Sequence, residues 1–270
     1  MTSAPPRTPT PSSGRGIGPL LRGWRERRRI SQLDLALRAG SSARHLSFVE
    51  TGRSRPSEAL VLKLAHHLDV PLRERNALLL AAGYAPRFTE TPLSDPSFAP
   101  VRAGIEALLA GYEPYPALVL DAHYEVVAAN KGVDTLLAGV AEELLAGPLN
   151  AMRLTLHPRG MAPRIRNLGQ WRAHLLAQME REIALDRSPA LRALYEEVAA
   201  YPVADPGTEE TGGAAHFALP LRIEHEGRVL SFLSTIATFN TPMDVTVAGL
   251  AVEAFLPADA ETLARLRGRD

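Results

Sequence analysis

The sequence predicts a multidomain chain: an all-α domain of five helices, followed by an α+β domain built on an antiparallel sheet. Three observations carry this. Helical periodicity holds from Ile17 to about Gly83. Residues 84–99, YAPRFTETPLSDPSFA, then lose it around Pro86, Pro92 and Pro96. Beyond them, residues 100–259 place strand-like alternation at both ends of a helical middle. The predicted boundaries are a disordered tail at 1–16, the helical domain at 17–84, a linker at 85–99, the α+β domain at 100–259 and a C-terminal tail at 260–270. At 270 residues the chain is long enough for two cores.

Each element has a local cause. The tail MTSAPPRTPTPSSGRG is too poor in apolar residues to order itself and has no signal-peptide core. In the helical domain, Ser31 and Asp34 form a capping box opening a helix whose Leu33, Ala36 and Leu37 are expected to face inward. Gly40 ends it. Ser42 caps the next helix, with Leu46 and Val49 inward and Gly52 at its end. Ser57 opens a fourth helix with Leu60, Leu64 and Leu68 inward, and Pro71 stands at the start of a fifth.

The second domain is expected to open with a helix over 97–110. Two short strands follow, ALVLD and YEVVAAN, around a turn at Ala122-His123. Helical patterns fill residues 131–200, clearest at 168–185. After a polar, Gly-rich stretch at 205–215, three strand-like runs follow at 216–225, 228–239 and 244–255, the first two joined at Gly227. In the first run Phe217, Leu219, Leu221 and Ile223 share one face.

Composition sharpens the division. The chain has 30 Lys and Arg against 30 Asp and Glu, a formal charge of zero. Residues 1–90, however, hold fifteen basic and seven acidic residues, a net of +8, and the remaining 180 carry −8. A basic segment joined to an acidic one points to a polyanion-binding module with a body that does not itself bind polyanions. The absence of cysteine excludes disulfides, thiolate metal sites and a Cys nucleophile, and suits a reducing cytoplasm. No apolar run approaches the roughly 20 residues of a membrane span, so no membrane partner is expected.

Within the basic segment, SQLDLALRAGSSARHLSFVETGRSRPS forms a helix-turn-helix unit around Gly40. It resembles the Cro/phage-repressor-type regulators at Ser31-Gln32, Leu35-Ala36, Gly40, Ser42, Ser47, Glu50, Gly52 and Pro56, departing at Ser41, where an apolar residue is usual. The resemblance implies that the second helix enters the major groove of double-stranded DNA. The expected contacts are Gln32, Ser42, Ala43, Arg44, His45 and Ser47, with Arg53 and Arg55 on phosphates. Arg44 has the reach for guanine and Ala43 the size for a thymine methyl. The bland alternative for this face is a solvated helix surface. Glu50 and Arg25 are implied to pair structurally, and Arg27, Arg28 and Arg29 read equally as a solvated basic run or as contacts.

No G-x-S-x-G, H-E-x-x-H or phosphate-binding G-x-x-x-x-G-K occurs, and the eight histidines lack metal-ligand spacing. No enzyme activity, cofactor or metal is expected. The phrases PYPALVLDAHYEVVAAN, NAMRLTLHPRG, IRNLGQWRAHLL and NTPMDVTVAGLAVEAFLPAD, with RHLSFVETGRSRPS and ERNALLLAAGYAP, resemble the MmyB-like helix-turn-helix regulators. Asn240 stands where that family has glycine before Thr-Pro. The resemblance implies a PAS-like C-terminal domain with a cavity for a lipophilic small molecule such as a fatty acid. Leu118, Leu120, Val127, Trp171, Leu175, Phe232, Ile236 and Phe239 are candidates to line it, or simply to fill a core. Among polar residues, Arg153, His157, Asn167 and His174 are candidate ligand contacts. Arg153 suits either a ligand carboxylate or backbone carbonyls, and His157 equally suits a structural role. The functional expectation is a sequence-specific, homodimeric transcriptional regulator in the cytoplasm. The alternative is one whose second domain is only a dimerisation or interaction platform.

Overall fold

The computed structural model describes residues 16–185, 188–202 and 218–268. The tail expected at 1–16 lies outside them except for Gly16, as do the polar stretch at 205–215 and Phe217. The chain divides between Thr89 and Glu90 into two compact units.

Five helices form the first unit: α1 Ile17–Arg27, α2 Gln32–Arg38, α3 Ala43–Glu50, α4 Glu58–His67 and α5 Leu72–Ala81. Their starts follow the expected caps. The Ser31, Ser42 and Ser57 hydroxyls accept from the backbone N–H of Asp34, His45 and Leu60. Gly40 closes α2 at φ +67°, a conformation that costs a side-chain-bearing residue strain. The core gathers Leu21, Trp24, Leu35, Ala36, Leu46, Val49, Leu64, Leu68 and Leu79. One face differs from expectation. Leu35, Ala36 and Ala39 are buried on α2, whereas Leu33 and Leu37 are 58% and 68% exposed. In a helix of seven residues the stripe at i, i+1 and i+4 wins because it meets α3 and α4, leaving the 33/37 pair outside.

The linker expected at 85–99 is not a free segment. The Asn76 amide donates to the Phe88 carbonyl, and its oxygen accepts from the N–H groups of Arg87 and Phe88, tying that stretch to α5. In the second unit, Thr91 bonds Asp244 through both its N–H and its hydroxyl, and the Arg102 guanidinium donates to the carbonyls of Leu93 and Asp95. Phe98 is buried, ending a short 3-10 turn that leads into α6, Ala99–Tyr112.

The second unit is built on a five-stranded antiparallel sheet in the order β2-β1-β5-β4-β3. The strands are β1 Ala117–Leu120, β2 Val126–Ala129, β3 Leu221–His225, β4 Arg228–Thr238 and β5 Ala251–Pro257. Short helices α7 Asp134–Leu137, α8 Glu142–Leu145 and α9 Ala151–Leu156, then the longer α10 Leu168–Leu185 and α11 Pro189–Ala199, lie between β2 and β3 in the chain. Glu226 and Gly227, both at positive φ, make the two-residue turn joining β3 to β4, a geometry that follows the sheet's own twist. All four residues of β1 are buried, because each face of the sheet carries its own core. Ala117, Val119, Val252 and Ala254 pack with Ile105 and Leu109 of α6, while Leu118, Leu120, Phe232 and Phe255 face the other helices.

Two stretches depart from the expected pattern. Residues 244–248, read as the start of a strand from their β-branched Val-Thr-Val, form a helical turn, α12 Val245–Ala248, because Asp244 caps it. The expected tail at 260–270 carries α13, Ala260–Leu266, capped by Asp259, and Thr262 within it is fully buried.

Candidate functional site

In the first unit the candidate DNA-facing surface is the outer side of α3. Arg44 is exposed, with its guanidinium 5.5 Å from the Phe48 ring centroid, and Ser47 and His45 are half-buried beside it. Ala43 packs partly on the core, and the Ser42 hydroxyl is engaged in capping. Arg53 is exposed beyond the end of α3.

Gln32 and Arg55, named from sequence as contacts, have other occupations. The Gln32 amide donates to Glu50 Oε2 at 2.7 Å. Arg55 lies over Tyr84 and donates to the carbonyls of Ala82 and Gly83, satisfying the exposed end of α5. Arg28 serves the carbonyls of Leu68 and Asp69 in the same way, while Arg27 stacks over Trp24 at 4.2 Å. Beneath the surface, Arg25 grips Glu50 in the fork implied by the resemblance, at 2.6 and 2.9 Å, and also donates to the Ile30 carbonyl. Hydrogen bonding to Glu50 holds the Arg25 guanidinium above its ordinary value.

The second unit contains a half-open cavity of about 370 Å³ between the sheet and the helices, inside the span of about 300–1,000 Å³ common for small-molecule sites. Its walls are apolar: Leu118, Val126, Leu136, Met152, Leu154, Met161, Trp171, Leu175 and Phe255. Lys131 and Asp134, both exposed, contribute charge to its lining. The Asn130 side chain is spent on the carbonyls of Leu109 and Tyr115 and on the Ala117 N–H. A second cavity of about 290 Å³ shares Met152, Leu175 and Glu253 with the first, and adds Asp121, Tyr124, Gln178, Glu182 and Ile236.

Trp171 and Leu175, with Leu118, line the first cavity; Leu120 and Ile236 line the second. Phe232 is fully buried in the core, edge-on to Phe255, and is absent from both linings. Val127 is exposed, because β1 pairs Leu118 with Ala129 and Leu120 with Val126, so the irregularity in register turns Val126 and Ala129 inward instead. Phe239 borders a separate open hollow with Phe98 and Met243.

The polar candidates stand outside both linings. Arg153 does hold a carboxylate bidentately, but it belongs to Glu197 of α11, at 2.8 Å through both nitrogens. That bond lowers the Glu197 pKa, and it raises that of Arg153. His157 Nδ1 accepts from the Arg159 N–H, and its ring meets Tyr201 edge-on at 4.9 Å. Asn167 is buried and joins α10 to β3 by donating to the Pro220 carbonyl and accepting from the Arg222 N–H. His174 is exposed beside Trp171.

Sequence reasoning missed Glu253, which lines both cavities. Its Oε1 accepts from the Ser234 hydroxyl at 2.6 Å. Burial pushes its carboxyl above the ordinary range, opposed by that hydrogen bond. It also missed Tyr124, whose hydroxyl donates to Glu182 Oε2 at 2.7 Å and whose own pKa is raised by burial and by that carboxylate. One signal for Glu253 was present: at period two it shares a face with Phe255.

The comparisons bear on both units. Residues 21–75 match the family described as helix-turn-helix. Residues 101–268 match the family described as MmyB-like transcription regulator ligand binding domain. A search of the curated proteins returned no match. Neither matched family is an enzyme family. With a helix-turn-helix unit ahead of a ligand-binding domain that spans more than half its length, the chain belongs to the MmyB-like transcription regulators.

Proposed function

We propose that this DNA-binding regulator is sequence-specific and dimeric, works in the cytoplasm, and senses a lipophilic molecule such as a fatty acid in its second domain. The apolar cavity beside Trp171 is the observation that carries the sensing half of this reading. The antiparallel order β2-β1-β5-β4-β3, with helices inserted after β2, supports a PAS-like description. A fatty acid fits with its chain among Met152, Leu175 and Phe255 and its carboxylate at Lys131. A dimer places two α3 helices in successive major grooves about 34 Å apart on a pseudo-palindromic operator. Ligand changes DNA affinity only by binding two conformations unequally.

On α3 we assign base reading to Arg44 and Ser47, with Ala43 and His45 flanking, Ser42 holding the helix start at the backbone and Arg53 on phosphate. Gln32, held by Glu50, and Arg55, held at the end of α5, keep further donors and are assigned contacts beside this surface, Gln32 on phosphate or a base edge and Arg55 on phosphate. Arg44→Ala is expected to weaken binding to an operator selected from random DNA by about tenfold or more, with little effect on random sequence, as read by fluorescence anisotropy. Unchanged operator affinity would falsify this placement of the reading surface. Native mass spectrometry of gently purified protein checks the cavity: a co-purified lipophilic molecule supports sensing, and a bare mass favours the interaction platform.

A further inference from the structure

We propose that the second unit dimerises by pairing the open half of its β4 edge with the same edge of a second copy, about a two-fold axis at Ile236. The proposal rests on the reading of this regulator as a dimer and adds the surface that joins the copies. β3 covers β4 only from Arg228 to Phe232, so the stretch from Leu233 to Thr238 continues alone on that side. On its other side it pairs with β5 throughout. The Ser231 carbonyl accepts from the N–H of Ala258, the residue after β5, so Ser231 turns its backbone groups towards β5. Direction alternates along a strand. Leu233, Thr235 and Ala237 therefore also serve β5, and Ser234, Ile236 and Thr238 aim their N–H and C=O groups at the open edge. Among the described residues no backbone group meets them there.

An open edge is a template for another strand, and proteins commonly guard one with charge or proline. This edge has neither guard: no charged residue occurs from Val229 to Met243, and the stretch from Leu233 to Thr238 holds no proline. The spacing selects a second copy as the strand that covers it. The open positions are centred on Ile236, so two such edges laid antiparallel match Ile236 with Ile236 and Ser234 with Thr238, each pair exchanging two hydrogen bonds. Two copies meet there without like-charge repulsion, and the Ile236 side chain, 53% exposed, gains an apolar neighbour. Directly opposed residues share a sheet face. Ile236 and Thr238 line the second cavity, so the Ile236 of each copy stands beside the rim of the other's second cavity. Dimer contact and cavity meet at one residue.

The test follows self-association of the full chain without DNA by sedimentation equilibrium. Ile236→Lys and Ile236→Glu each set like charges face to face at the axis and are expected to weaken the dimer at least about tenfold. An equimolar mixture of the two is expected to re-form it as a heterodimer. In the unaltered chain, amide hydrogens of Ser234, Ile236 and Thr238 are expected to exchange more slowly as protein concentration rises. Variants that dimerise as tightly as the unaltered chain overturn the edge pairing, and so does a mixture that stays monomeric. Exchange independent of concentration overturns it without any variant, whether the edge is open or covered from within the chain. A monomeric unaltered chain overturns it too. Two copies on one operator would then leave the dimer reading standing, and a single copy would remove both.

Discussion

Arg25, Gln32 and Glu50 show how one buried charge organises the first unit. The Glu50 side chain is 1% exposed and accepts from both partners, so α1 and the start of α2 are fixed to the end of α3. Arg25→Ala leaves that carboxylate uncompensated, and is expected to cost about 3–5 kcal/mol in urea unfolding, with much of the loss recovered when Glu50→Gln is added. Recovery would show that the unpaired charge, and not lost packing, carries the penalty. The residues hardest to place from sequence were those whose partner lies far along the chain. Arg153 has the fork geometry expected of a carboxylate clamp, yet Glu197, 44 residues later, fills it. Glu253 sits in a strand that alternates, and alternation ordinarily sends the polar residue to solvent; here α6 covers the opposite face and the helices roof this one.

At the level of elements, the helix boundaries of the first unit were legible because each has a local cause. The first unit's helices start and stop on Ser31, Ser42, Ser57, Gly40 and Gly52, each acting on backbone within a few residues. Less legible was the phase of α2, since seven residues make too few turns to fix which stripe faces in. The same holds for α12, where one capping Asp outweighs three residues of β propensity. The last helix, α13, was hidden because its role is non-local. The Thr262 hydroxyl accepts from the Ser231 N–H of β4 at 2.9 Å, and Arg267 donates to the Tyr115 hydroxyl. Thr262→Val keeps the shape but strands a β4 N–H, and is expected to destabilise the second unit by about 1–3 kcal/mol in chemical denaturation. A stability equal to that of the unaltered chain would mean that this hydrogen bond does not anchor α13 to β4.

For the whole molecule, a net charge of zero conceals a segment of +8 and another of −8. DNA affinity should therefore fall steeply with salt although the two charges cancel. If each protomer neutralises about three phosphates, the slope of log affinity against log salt is about −3 per protomer. A fragment ending at Thr89 should bind random DNA more tightly than the full chain at low salt, because the acidic unit no longer repels the duplex. Equal affinities in an anisotropy titration would remove the acidic unit from the electrostatics of binding. The two cores on either side of β1 have a different kind of consequence, one of inheritance. Neighbouring residues of a single strand answer to separate demands: Val119 and Val252 to the α6 core, Leu118 and Glu253 to whatever the cavity holds. Lineages can retune the signal they respond to by altering every second residue of β1 and β5, while the residues between keep the scaffold intact.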